Sequence, residues 1–230
     1  MKTKKTQLFL LHFAGGNCYS YQFLRENFSN EFDFIPLELP GRGKRLAEPL
    51  IKSRIEAIDD YFFQIKELRN EQPFVVYGHS MGASLGLEVV KELEKIAELP
   101  NAFIASGNAG PGTGDNKSRY LMNDEDLKTE LRRLGGVPEE VLSNQELCDF
   151  FIPIIKADFE VIEKVDQISS QKKIKTPIYA MMGDEEDTVS KIGNWKNYAE
   201  EIFDYKIFSG NHFFIHEHKE ELFDLIKTWG

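Results

Sequence analysis

Gly78-His79-Ser80-Met81-Gly82 is the segment of this chain with the most chemistry to offer. A serine hydroxyl becomes a useful nucleophile when a base takes its proton and the backbone lifts it clear of its neighbours. The spacing G-x-S-x-G achieves the second in a tight turn between a strand and a helix. Here it follows the apolar run Phe74 to Tyr77 and precedes a helical pattern from Ala83, the context of a nucleophile elbow. Glycines flanking the serine let the strained turn close, and the hydroxyl comes to lie near a helix N-terminus. The base must come from five histidines, His12, His79, His212, His216 and His218. His79 lies within the elbow, and His216 and His218 start a helix among Glu217, Glu220 and Glu221, where solvation accounts for them. His212 follows the turn Ser209-Gly210-Asn211 after a late strand, and is the candidate base.

A carboxylate should orient that imidazole. Met182-Gly183-Asp184-Glu185-Glu186-Asp187 follows another strand, and the residues alone leave Asp184, Glu186 and Asp187 open. Two backbone N–H groups should meet the negative charge that develops on the attacked carbonyl. Met81, directly after the nucleophile, supplies one, and Ala14 in the loop His12-Phe13-Ala14-Gly15-Gly16 supplies the other.

The elements needed to position these residues are legible as alternating short apolar runs and longer helical patterns. Gln7 to His12, Asp33 to Leu37, Phe74 to Tyr77, Ala102 to Ser106, Ile178 to Met182 and Tyr205 to Phe208 read as strands. Ile55, Ile58, Phe62, Ile65 and Leu68 predict one buried helix face, and Val89, Val90, Leu93 and Ala97 a second. Such alternation implies an α/β fold, a mostly parallel sheet flanked by helices. The order serine, acid, histidine is that of α/β-hydrolases. Residues 116–164 interrupt the alternation with two or three consecutive helices, and form the predicted helical lid inserted in a single domain spanning 1–230. The last of these helices should bury Leu147, Phe150, Phe151, Ile154, Ile155, Phe159 and Ile162, with Pro153 as a kink.

The chain has 230 residues, 41% hydrophobic, with a net charge of −10 and two cysteines. Its length and 18 phenylalanines suffice for one core without disulfides, so Cys18 and Cys148 are expected as free thiols. Intermixed acidic residues argue against nucleic-acid binding, which needs clustered cations. Lys2, Lys4 and Lys5 precede an apolar run, Leu8 to Leu11, too short for a signal-peptide core, and no membrane-spanning stretch is present. A cytoplasmic protein is expected. His212, His216 and His218 lack a zinc motif, and Gly110-Pro111-Gly112-Thr113-Gly114 lacks the lysine of a phosphate loop.

Phe13-Ala14-Gly15-Gly16, Leu39-Pro40-Gly41-Arg42-Gly43-Lys44-Arg45, the elbow, Leu134-Gly135-Gly136-Val137-Pro138-Glu139, Ala157-Asp158-Phe159 and Gly210-Asn211-His212-Phe213-Phe214 together resemble the stand-alone type II thioesterases of nonribosomal peptide and polyketide synthesis. The resemblance spans nearly the whole chain. It implies an α/β-hydrolase with a mobile lid that hydrolyses acyl or aminoacyl thioesters from the phosphopantetheine arm of carrier proteins. It implies no metal or cofactor of its own, since the carrier supplies the phosphopantetheine, and a monomer is expected. Ser80 and His212 carry over as nucleophile and base. Matching Trp195 and the separation from His212 places Asp187 as the acid, with Asp184 as runner-up. Arg42, Lys44, Arg45, Lys52 and Arg54 give their stretch a charge of +4, against −6 for Glu139 to Glu163, so the basic stretch is the expected docking side for an acidic carrier. Two other readings share these residues: a carboxylesterase with the same triad, and a catalytically silent binding subunit.

Overall fold

Leu8 to Leu11 and Phe74 to Tyr77 are apolar on both alternating faces, as inner strands of a parallel sheet covered on both sides must be. The computed structural model describes residues 5–115, 117–164 and 172–230. Lys2, Lys4 and Asn116 lie outside the described residues. All six expected strands form: β1 (Thr6–Leu11), β2 (Phe32–Pro36), β3 (Phe74–His79), β4 (Ala102–Ser106), β5 (Ile178–Gly183) and β6 (Phe203–Phe208). They make one parallel sheet in the order β2-β1-β3-β4-β5-β6. The helices are α1 (Arg25–Phe28), α2 (Arg54–Leu68), α3 (Met81–Lys95), α4 (Asp124–Leu134), α5 (Glu139–Leu142), α6 (Gln145–Glu163) and α7 (Lys219–Lys227).

Alternation along the strands divides the core in two. Phe9, Leu11, Val76, Phe103 and Met182 cluster with α2 and α3. Leu8, Leu10, Val75, Ile104 and Met181 cluster with Phe28 of α1 and with Leu222 and Ile226 of α7. Between β4 and β5 the chain inserts α4, α5 and α6, which hold a small core of their own: Leu127, Leu131, Leu142, Cys148, Ile152, Ile155 and Phe159. Cys18 and Cys148 are free thiols. Among the described residues no helix is long and apolar enough to cross a membrane.

Two helices are rotated from their expected faces. In α2 the buried residues are Ala57, Ile58, Tyr61 and Ile65, while Ile55 and Leu68 are exposed. Tyr61 carries an aromatic body into the core, and it shifts the buried stripe away from the purely aliphatic pattern. In α6, Leu147 and Phe150 are exposed and Cys148, Ile152 and Ala157 are buried instead. The helix packs against α2 and α3 as well as against the small core, and its buried face is set by these neighbours together. It continues through Pro153 as one 19-residue helix.

The strand order places the chemistry. From β1 the chain crosses to β2 on one side and returns to β3 on the other, so the carboxyl ends of β1 and β3 flank the switch point where α/β sheets gather ligands. Leu11 pairs with Gly78, which brings the loop after β1 beside the elbow. Gly183 pairs with Phe208, which brings the acidic loop after β5 beside the His212 loop after β6.

Candidate active site

Ser80 joins β3 to α3 with φ 55 and ψ −110, a strained conformation for a residue with a side chain. The turn is this tight because α3 starts against the end of β1: a Cβ on Gly82 would lie 2.2 Å from Leu11 O, and one on Gly78 would lie 2.2 Å from Gly82 O. Any other residue at either position would force strand and helix apart. Ser80 N donates to Ser106 O at 2.7 Å, and Ser80 O accepts from Ala83 N, Ser84 N and Asn108 Nδ2. The serine is thereby locked to β4 as well as to its own helix.

His212 Nδ1 donates to Glu186 Oε2 at 2.6 Å. The other oxygen of Glu186 accepts from Gly183 N at 2.8 Å, so the carboxylate is fixed against the end of β5. The imidazole is held with Nε2 as the ring nitrogen free to accept a proton. Its ring lies 5.0 Å from that of His79, the residue before Ser80, which places the base at the elbow. His79 is fully buried and hydrogen-bonded through Nδ1 to Ser106 Oγ at 2.9 Å. Burial, with the nearby His212 and His216, holds its pKa well below the ordinary histidine value, so it is a neutral wall of the site.

Asp187, the expected acid, is not the carboxylate that meets His212. It is 76% exposed and pairs with Arg133 Nη1 of α4 at 2.8 Å. The runner-up Asp184 accepts from Gly210 N at 2.8 Å, tying the acidic loop to the His212 loop. Glu186 reaches the imidazole because the turn closing from Glu186 N to Gly183 O directs its longer side chain back toward the sheet. One residue further on, the chain has turned toward the inserted helices. Glu186 is among the three carboxylates that the sequence leaves open.

The N–H groups expected to receive an oxyanion are differently placed. Met81 N is the first amide of α3 and has no partner within the helix. Of the amides of residues 14–16, Gly15 N donates to Asp158 Oδ2 and Gly16 N to Phe13 O, whereas Ala14 N meets no acceptor among the described residues.

The basic stretch expected as a docking side is largely engaged in contacts within the protein. Arg42 is 2% exposed and forms a bidentate ion pair with the fully buried Asp158, at 2.6 and 2.8 Å. Arg45 is held by Glu48 and Asp60, and Arg54 donates to Ser84 O. Lys44 and Lys52 alone of the five stay exposed. A formal charge count treats every residue as free, and here three of the five cations are engaged by other groups of the protein, Arg42 in its interior and Arg45 and Arg54 nearer the surface. The pairing of Arg42 with Asp158 is an internal contact that a charge count does not reveal. A lone Asp between Ala157 and Phe159 on an apolar helix was the available signal, since a buried carboxylate requires a partner.

Residues 6–229 match the family model of the thioesterase domain. The gramicidin S biosynthesis protein GrsT of Aneurinibacillus migulanus is 29% identical over 226 residues, covering 96% of this chain and 88% of that protein. A probable cadicidin biosynthesis thioesterase of Streptomyces griseus is 28% identical over 207 residues, and the match covers 89% of this chain but 57% of that protein's length. Among solved structures, ClbQ from the colibactin NRPS/PKS pathway superposes with a TM-score of 0.90 at 26% identity, covering 98% of this chain and 97% of that one. The type II thioesterase BorB from the borrelidin cluster superposes with a TM-score of 0.87 at 27% identity, covering 99% of this chain and 93% of that one. A serine on a strained elbow, a histidine held by a carboxylate and a parallel sheet with inserted helices thus coincide with a match over nearly the full length, and the chain belongs to the thioesterase family of α/β-hydrolases.

Proposed function

We propose that this thioesterase hydrolyses aberrant or stalled acyl and aminoacyl groups from the phosphopantetheine arm of carrier proteins, in nonribosomal peptide or polyketide synthesis. Ser80 Oγ attacks the thioester carbonyl while His212 Nε2 accepts its proton. Glu186 holds the resulting imidazolium through Nδ1. The amides of Ala14 and Met81 stabilise the oxyanion. The intermediate collapses to an acyl-serine as the carrier thiol departs with the proton from His212. Water, deprotonated by His212, then attacks the ester, and as the carbonyl re-forms His212 returns that proton to the departing Ser80 Oγ and the acid leaves.

The observation that carries this reading is the 2.6 Å contact between His212 and Glu186 beside the serine elbow. A carboxylate fixed at both oxygens leaves the imidazole in one tautomer, as a general base acting on a serine requires. The relatives named for gramicidin S, colibactin and borrelidin pathways support the carrier-bound substrate. On this reading α4, α5 and α6 form the lid, and the enzyme acts in the cytoplasm as a monomer with no metal or cofactor of its own.

The test is product release from acyl- and aminoacyl-phosphopantetheinyl carrier proteins beside p-nitrophenyl esters, with Ser80→Ala as control. Faster cleavage of the carrier thioesters, lost in the serine variant, is the expected result. Preference for free esters would instead indicate a carboxylesterase, and undiminished turnover by Ser80→Ala would remove the serine mechanism.

A further inference from the structure

Ala14 sits between two peptide units, each gripped by a buried side chain. The unit joining Phe13 to Ala14 is held by its carbonyl: Phe13 O accepts from Gly16 N at 2.9 Å and lies 2.8 Å from His12 Nδ1. A carbonyl only accepts, so Nδ1 carries the ring proton. His12 Nε2 is then the acceptor for Leu39 N–H at 3.3 Å, and both ring nitrogens agree on one neutral tautomer. The C=O and N–H of a trans peptide point in opposite directions, so pinning Phe13 O aims the Ala14 N–H the other way. The next unit, joining Ala14 to Gly15, is held by its N–H, which donates to Asp158 Oδ2 at 2.7 Å. That carboxylate cannot swing, because both of its oxygens are engaged by Arg42.

We propose that His12 and Asp158 are positioning residues that aim the Ala14 amide at the developing oxyanion. The proposal rests on the reading of Ala14 as an oxyanion donor. Neither residue has any exposed surface, so neither touches substrate, and their influence passes through the backbone on either side of Ala14. Burial, aided by the charge of Arg42, pushes the His12 pKa down to about 3, so the neutral tautomer persists through the range where the enzyme works. Asp158 belongs to α6, so the inserted helices supply one of the two grips on an amide in the sheet's own loop.

The experiment is steady-state hydrolysis of an acyl thioester by His12→Ala, His12→Asn and the double variant Arg42→Met with Asp158→Leu, each with its melting curve. Ki for a trifluoromethyl ketone analogue, whose hemiketal oxygen occupies the oxyanion position, is measured alongside. An oxyanion donor is worth roughly 100- to 1000-fold when removed, and a misaimed one should cost about 10- to 100-fold. His12→Ala should lower kcat by that factor with KM within about twofold, and raise Ki as kcat/KM falls. The amide nitrogen of Asn occupies the place of Nδ1, so His12→Asn should restore most of kcat. The double variant exchanges a buried ion pair for apolar side chains, which proteins commonly tolerate, and should show the same kcat loss in a folded protein. Full kcat in either folded His12→Ala or the double variant, or equal loss in the Asn and Ala variants, would overturn the proposal. With Ser80→Ala inactive, those results overturn positioning alone, whereas turnover surviving in Ser80→Ala rejects the serine mechanism itself.

Discussion

Phe103, in β4, has no exposed surface and packs edge-on against Trp195, with ring centroids 5.7 Å apart. Phe159, in α6, lies instead beneath the guanidinium of Arg119, 5.4 Å from its ring centre. The contrast extends to the regions around them. The sheet is held by interdigitated apolar side chains on both faces. The inserted helices add to their small apolar core a cluster around Arg119, which binds Asp115, Glu130 and Glu163 at once, with Arg133 and Lys117 also on Glu130. Partly buried ion pairs lose in desolvation much of what they gain in attraction, so this cluster fixes geometry more than it adds stability. The elbow and the His212 loop thus belong to the apolar-packed region, and the ion pairs concentrate in the inserted helices. Asp158 is the exception, since it reaches from the inserted helices to the loop of Ala14.

Adjacent carboxylates belong to the two regions and offer the largest test of the contrast. Glu186→Gln should lower kcat by roughly 10³- to 10⁴-fold, because the imidazole loses the group that fixes its tautomer and stabilises its cation. Asp187→Asn breaks only an exposed pair with Arg133 and should leave kcat within about twofold. Comparable losses in steady-state kinetics would move the acid role back toward Asp187.

Stability should divide in the same way. Phe103→Ala should cost about 3–5 kcal/mol in denaturant unfolding, the usual result of emptying a packed aromatic site. Phe159→Ala should speed amide hydrogen exchange in α4 and α6 while leaving β3 and β4 unchanged, the signature of local opening. Faster exchange in all four elements would show that the inserted helices and sheet unfold as one unit.

Acidification separates the regions by pH. His12 has a folded pKa of about 3 against an ordinary value of 6.5, so the unfolded chain binds the proton first. Its contribution is complete above pH 6.5 and lost as pH falls toward 3. In Glu130, hydrogen bonding from Arg133, together with Lys117 and Arg119 and against burial, draws the carboxyl from 4.5 down to about 2. Its contribution is complete above pH 4.5 and lost toward 2. Chemical denaturation across pH should therefore show a decline beginning below 6.5 that flattens in His12→Asn, and a steeper one below 4.5 that flattens in Glu130→Gln.

The six strands, the elbow and His212 were legible because each depends on neighbours close in sequence. An unbroken apolar run such as Leu8 to Leu11 must be covered on both faces, and Gly78 and Gly82 permit a turn that few other residues could make. Composition likewise sufficed for a core without disulfides. What the tertiary structure decided were the contacts between distant segments. Glu186, rather than Asp187, meets His212 because one step along a turn redirects a side chain, and its target lies 26 residues away. Arg42 read as surface charge until α6 brought Asp158 to it from 116 residues away. Tyr61 and Ala57 displaced the expected face of α2 because the sheet beneath, not helical periodicity, selects which side is buried. A sequence specifies which groups are available and how the local backbone turns, but a side chain's partner is set by the direction it leaves that backbone and by what the fold has placed there.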